Sequence, residues 1–167
     1  ELRTIGEVNR KESLIQIQLT ELQLEELIKK IIQFQSLLQQ GKCDIAFELL
    51  KKIKFVYDEV RLSDAYSQIA VCYYGNKDIE SAKKALDSSI YYHEDAYNLT
   101  KLASILHYKN QNDKAIDMLE KAILLDPNYT IAVSLLCQIH SERGTTSKYC
   151  PDQKIAKRGN EPRRSNR

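Results

Sequence analysis

The chain has 167 residues, of which 43% are apolar and 29% are charged, and its formal net charge is +2. This length corresponds to about one domain, and no apolar run approaches the roughly 18 residues of a membrane span. Five glycines and three prolines are too few for collagen, low-complexity sequence or a turn-rich all-β domain. Composition therefore predicts one soluble, helical domain.

The N-terminal part of the chain predicts one long helix, from about Glu12 to Gln40. Four apolar residues recur every seven positions, the spacing of a helical seam: Ile17, Leu24, Ile31 and Leu38. The period-two alternation at 15–19 is a strand signal, but the longer helical pattern and its Glu, Gln, Leu and Lys residues favour helix. Residues 1–26 are therefore an N-terminal helical extension. It either pairs with a partner or a second copy in a dimer, or it is an ordinary N-terminal cap.

A degenerate helical hairpin is predicted at 27–60. Gly41 marks its turn, and Ala46 supplies the small residue of the second helix. Phe34 stands where a small residue is expected on the first helix, so the packing there must differ from that of the units that follow.

Two units of an internal repeat follow, at 63–95 and 96–129. Ala70 and Ala82 lie twelve positions apart, and Ala103 and Ala115 repeat this spacing 33 positions later. Each unit predicts two short helices, because large apolar residues fall at helical spacing beside a small residue. The alanines let two helices cross closely. The predicted repeat core is Tyr66, Ile69, Ala70, Tyr73, Ala82, Leu86, Leu99, Leu102, Ala103, Ala115, Leu119, Ala122 and Pro127.

Polar turns at 75–78 and 110–113 separate the two helices of each unit. Asp78 and Asn112 are the predicted N-caps of the second helices, since a side-chain oxygen at that position accepts a hydrogen bond from an otherwise unpaired amide.

This arrangement resembles the tetratricopeptide repeat, a helix-turn-helix unit of about 34 residues. The second unit is the better match because it keeps Ala122 and Pro127, whereas the first unit has Ser89 and Glu94 where the family favours Ala and Pro. The resemblance implies an all-α solenoid of antiparallel helical hairpins over 27–144, in which a helix at 130–143 caps the last apolar face. Gly144 ends that helix.

The last segment, 145–167, is polar and basic and is predicted to be a disordered tail. Residues 148–167 hold seven Lys or Arg and two Asp or Glu. Flexible Lys and Arg side chains of this kind favour salt-dependent contact with nucleic acid. The tail is the one part of the chain that predicts nucleic-acid binding.

The four cysteines match no zinc-binding spacing. The simplest interpretation of the four cysteines is that they are free, buried thiols in a reducing compartment. This interpretation predicts a cytoplasmic location. The residues are Cys43, Cys72, Cys137 and Cys150.

The chain carries no recognisable catalytic, cofactor or metal motif, and we expect that it is not an enzyme. His107 and His140 fall at similar places on consecutive first helices, but a metal ion between them would lack a third ligand. Asn98 and Asn128 each begin an Asn-x-Thr glycosylation motif, which we interpret as accidental unless the chain is secreted.

In the repeat family the first helices line a concave groove that binds peptide, and the resemblance implies such a groove here. It is rich in tyrosine and hydroxyl groups and nearly uncharged, so it lacks the Lys, Asn and Arg set with which some relatives clamp a C-terminal carboxylate. The predicted groove residues are Gln35, Ser67, Val71, Tyr74, Tyr97, Thr100, Ser104, His107, Tyr108, Ser134 and Gln138.

The leading hypothesis is a non-enzymatic adaptor or assembly factor that binds a peptide segment of a partner protein, in isolation or as a subunit of a larger complex. A secretion-type or assembly chaperone for a client protein is an alternative that rests on similar length and repeat number. A role in a nucleic-acid-associated complex, through the basic tail, is another.

Overall fold

The computed structural model describes residues 21–150, which contain seven α-helices and no strand. The predicted all-α class is confirmed. Within these residues no helix has both the length and the apolar character that a membrane crossing requires. The start of the predicted long helix and the tail beyond Cys150 lie outside the described residues. The helices are α1 (Glu21–Gln39), α2 (Cys43–Ile53), α3 (Glu59–Gly75), α4 (Ile79–Tyr92), α5 (Ala96–Tyr108), α6 (Asn112–Leu125) and α7 (Thr130–Arg143).

The chain divides into two compact units between Ile53 and Lys54. In the first unit α1 and α2 pack as a hairpin. Phe34 is buried on α1 and Ala46 is buried on α2, so the large aromatic residue is accommodated at the position where a small one was expected.

The second unit contains two further hairpins, α3 with α4 and α5 with α6, and α7 packs against the second of them. The four alanines that define the repeat are buried: Ala70, Ala82, Ala103 and Ala115. Burial of small residues on packed helices brings the helix backbones close together. The remaining predicted core residues are buried as well, except Pro127, which is exposed in the turn between α6 and α7.

The turn after each first helix uses the same backbone conformation. Lys77 has φ +63° and Asn110 has φ +58°, at positions 33 residues apart. Gly144, after α7, has φ +67°, in the left-handed region that glycine enters without steric cost. The two repeats therefore share their turn geometry as well as their packing, although neither has glycine at the left-handed position.

Side-chain caps start three of the helices in the second unit. Asp58, Asp78 and Asp95 each accept a hydrogen bond from the backbone amide three residues later, at 2.8, 3.0 and 2.7 Å. Hydrogen bonds from Ser81, both side chain and backbone, lower the pKa of Asp78. The prediction for Asn112 was wrong: Gln111 is the N-cap of α6 and makes no side-chain cap hydrogen bond.

A buried polar network joins the hairpin α3–α4 to α5. Ser89 Oγ donates to the Ser63 carbonyl oxygen at 2.8 Å and lies 2.9 Å from Ser63 Oγ. Asn98 Nδ2 donates to Ser63 Oγ at 3.4 Å and to Asp95 Oδ2 at 2.8 Å. This network explains the departure of Ser89 from the family's alanine, since its hydroxyl satisfies polar groups that have no access to water.

The expectation of free thiols was wrong. Cys137 and Cys150 form a disulfide bond, and the described residues contain no free cysteine. Disulfides are typical of oxidising compartments, which removes the basis on which the sequence predicted a cytoplasmic location.

The same bond corrects the predicted start of the disordered tail. Residues 145–150 are held against α7 by the disulfide, by the Thr145 amide, which donates to the His140 carbonyl oxygen at 2.9 Å, and by burial of Cys150. Residues 145–150 therefore belong to the folded part of the chain.

Candidate functional site

The exposed side of the first helices carries most of the predicted groove residues. On α3, α5 and α7 seven of them are exposed, and we call this set the first-helix face: Val71, Tyr74, Tyr97, Ser104, Tyr108, Ser134 and Gln138. Their helical spacing places them on one side of each helix. Tyrosine offers a large contact area with few rotatable bonds and a polar tip, so this face has the chemistry of a binding surface.

Two predicted groove residues do not lie on that surface. Ser67 is 5% exposed and Thr100 is 4% exposed. Ser67 Oγ accepts a hydrogen bond from Lys101 Nζ of the next first helix at 3.4 Å, and Thr100 Oγ1 donates to the Ala96 carbonyl oxygen at 2.7 Å. Both belong to the packing between helices, so a ligand on the first-helix face does not reach them.

Gln35 belongs to the first unit, where it is exposed on α1. His107 of the second unit is half-buried, and its Nδ1 lies 2.7 Å from Asn112 Oδ1 while its Nε2 lies 3.4 Å from Glu142 Oε2. His140 has a different partner, Thr145 Oγ1, at 2.8 Å from its Nδ1. The two histidines therefore have separate partners: His107 links α5 to α6 and α7, and His140 links α7 to the segment that follows it.

An apolar pocket opens on the first-helix face between α3 and α5. Its volume is about 280 Å³. We call it the α3–α5 pocket, and its lining is Ala70, Val71, Tyr74, Leu86, Lys101, Ser104 and Ile105. Three of these residues, Val71, Tyr74 and Ser104, were predicted groove residues, but the sequence did not predict the depression between them.

Lys101 is a member of this pocket that the sequence reasoning missed. Its Nζ lies 3.9 Å from the centre of the Tyr97 ring and 3.4 Å from Ser67 Oγ. The signal was available in the sequence, because Tyr97 and Lys101 are four residues apart on one helix and such pairs are neighbours. Together these contacts hold the ammonium group at the edge of the pocket.

A second hollow of about 430 Å³ lies between the loop that precedes α5 and the loop that precedes α7. Tyr97 and Tyr129 line it together with the carboxyl groups of Glu94, Asp95 and Asp126. Burial raises the pKa of Tyr129, and its neighbours Tyr97, Asp95 and Asp126 raise it further because they disfavour a second negative charge. Each of the three carboxylates already has a partner: Lys121 for Glu94, Asn98 for Asp95 and the Asn128 amide for Asp126.

The two glycosylation motifs differ in access. Asn98 is 1% exposed and its amide is engaged by hydrogen bonds, so the folded chain does not present it to an enzyme. Asn128 is exposed in the turn before α7. Of the two motif asparagines, Asn98 is therefore a buried structural residue and Asn128 has an accessible side chain.

The family model of the tetratricopeptide repeat matches residues 96–129, the unit formed by α5 and α6. No curated protein sequence matches the chain. The match covers the second of the two predicted repeats, the one that keeps Ala122 and Pro127.

Solved structures show the same fold. A crystal structure of MamA superposes with a TM-score of 0.58 at 21% identity, over 71% of this chain and 68% of that one. A second MamA structure gives a TM-score of 0.52 at 24% identity, over 66% and 64% of the two chains. The C-terminal part of a tetratricopeptide-repeat protein from Cytophaga hutchinsonii gives 0.51 at 19% identity, over 67% of this chain and only 44% of that one. Residues 96–129 are therefore a tetratricopeptide repeat, and the chain has the tetratricopeptide-repeat fold.

Proposed function

We propose that the chain is a non-enzymatic protein–protein interaction module that binds a segment of a partner protein along the first-helix face. The fold supports an interaction scaffold, since stacked helical hairpins present an extended surface. The single observation that carries the proposal is the α3–α5 pocket, an open apolar depression in the middle of a tyrosine-bearing face.

Three exposed tyrosines lie on the first-helix face, whereas the second helices α4 and α6 carry one, Tyr91. Tyr97 and Tyr108 are 50% and 71% exposed on α5, so half or more of the surface of each residue is available to a partner. Large exposed apolar side chains beside an apolar depression lose their contact with water when a partner binds, which is favourable by about 25 cal/mol per Å².

The proposal is tested by the double variant Tyr97→Ala/Tyr108→Ala in affinity capture from the organism that encodes the chain, with captured proteins identified by mass spectrometry. We expect the captured partner to be lost, while circular dichroism shows unchanged helix content. Tyr91→Ala is the matched control, because Tyr91 is 83% exposed on α4, a second helix. Equal capture by the wild type and the double variant would contradict the proposal.

A further inference from the structure

The α3–α5 pocket has an apolar floor and one charged edge. Ala70, Leu86 and Ile105 form the floor and are almost fully buried, while Val71 and Tyr74 form a half-exposed rim. A volume of about 280 Å³ lies just below the range of pockets for drug-sized molecules, roughly 300–1,000 Å³. The pocket therefore suits one large apolar side chain of a bound segment better than a free small molecule.

The charged edge is Lys101, and it has no counter-ion among residues 21–150. Its contacts there are the face of the Tyr97 ring and the Ser67 hydroxyl. By contrast, Lys109 pairs with Glu80 and Lys121 pairs with Glu94. A fixed ammonium group beside an apolar pocket, with no carboxylate partner among the described residues, can accept a negative charge from a bound segment.

We propose that the bound segment places a large apolar side chain in the α3–α5 pocket and an adjacent Asp or Glu carboxylate on Lys101. This inference rests on the proposed function and names the chemistry of its ligand. The apolar part supplies most of the affinity by burial, and the ion pair selects acidic over basic neighbours. A single lysine matches one internal side-chain carboxylate, whereas a C-terminal carboxylate clamp needs several cationic and amide groups.

The experiment is selection from a random peptide library displayed on phage, carried out on the purified full-length chain. We expect enriched peptides that share a large apolar residue next to Asp or Glu. The variant Lys101→Glu should enrich Lys or Arg at that position instead, and Lys101→Met should keep the apolar residue without an acidic preference. Lys84→Glu, at an exposed position on α4, is the matched control and should select the same peptides as the wild type.

Binding of one selected peptide, measured by calorimetry, gives the size of the effect. We expect Lys101→Met to weaken binding about fivefold to tenfold, as for a partly exposed charged hydrogen bond. Ser104→Phe should abolish binding by filling the pocket from its rim, while circular dichroism confirms the fold.

The outcomes separate the two proposals. Enriched peptides without an acidic residue overturn the role of Lys101 and leave the interaction module standing. Absence of any enrichment contradicts the interaction module itself. Loss of binding on amidation of the peptide C-terminus would show that the terminal carboxylate is bound, which overturns the proposal of an internal Asp or Glu. Self-association that Ser104→Phe abolishes would identify a second copy of the chain as the occupant of the pocket.

Discussion

Ser89 Oγ donates to the Ser63 carbonyl oxygen at 2.8 Å, across the buried interface between α4 and α3. Both residues are fully buried, and Asn98 adds a further hydrogen bond from α5. A polar residue at this position is stable because its partners are buried with it. Replacing Ser89 therefore removes its hydrogen bonds to Ser63, while Ser63 Oγ keeps its contacts with the His93 carbonyl oxygen and Asn98 Nδ2.

Substitution of Ser89 by alanine, the family's residue, should lower the free energy of unfolding by about 1–2 kcal/mol, because it removes the buried hydrogen bonds of the Ser89 hydroxyl. Urea denaturation followed by circular dichroism measures this. Ser88→Ala is the control on the neighbouring outer position, where the change should stay within about 0.5 kcal/mol. Adding Ser63→Ala should give a double-mutant cycle with clear coupling. Strict additivity of the two substitutions would show that the two hydroxyl groups are not coupled.

The variant Lys77→Gly should stabilise the protein, although it removes a side chain. Lys77 adopts the left-handed conformation, φ +63°, which costs a non-glycine residue about 1–2 kcal/mol. Part of this gain is offset because glycine gives the unfolded chain more freedom. Asn110→Gly tests the same turn in the next repeat, and we expect a smaller gain because asparagine tolerates this conformation. Thermal unfolding compares the two, and a loss of stability in Lys77→Gly contradicts the argument.

Removal of the disulfide with Cys137→Ala/Cys150→Ala should lower the free energy of unfolding by about 2–4 kcal/mol. The bond closes a loop of 13 residues, and the open chain gains conformational freedom mainly in its unfolded state. Urea denaturation without reductant gives the difference. Peptide mapping after alkylation of the unreduced wild type is the check, since modification of both thiols would mean that the bond does not form.

Alkaline pH should destabilise the fold through Tyr129. Its pKa is raised above the ordinary value of 10.0 by burial and by nearby negative groups. The unfolded chain therefore loses the phenolic proton at lower pH than the folded chain does. The stabilisation is complete below about pH 10 and is lost as the pH rises through the folded value. Denaturation midpoints across this range should fall less steeply in Tyr129→Phe, and an identical slope in both proteins would exclude the effect.

The sequence predicted the helices and their small-residue crossings because packing of this kind leaves a periodic pattern. Ala70, Ala82, Ala103 and Ala115 recur at fixed spacing, and they are buried as expected. Structural features that leave no periodic pattern in the sequence, such as the disulfide bond, were not predicted. Cys137 and Cys150 meet only because the chain turns back after Gly144, and no spacing along the sequence encodes that return.

The candidate site was predicted in part for a related reason. Helical spacing identified Val71, Tyr74 and Ser104 as one face, but it did not separate exposed from covered positions at the edge of that face. Ser67 is covered because α5 lies against it, with Lys101 across the boundary. Contacts between consecutive repeats depend on the angle between helices, which the sequence pattern alone does not specify.

The hydrogen bonds of Asn98 make the junction between the repeats at 63–95 and 96–129 specific to these two repeats. A junction sealed only by alanine and leucine accepts any neighbour of suitable volume, so such units can be duplicated or exchanged during evolution. At this junction Asn98 Nδ2 donates to Asp95 Oδ2 and to the Ser63 hydroxyl, both of which belong to the preceding repeat. Residues 96–129 moved next to a different repeat would carry an amide with no counterpart, which ties the order of these two units to one arrangement.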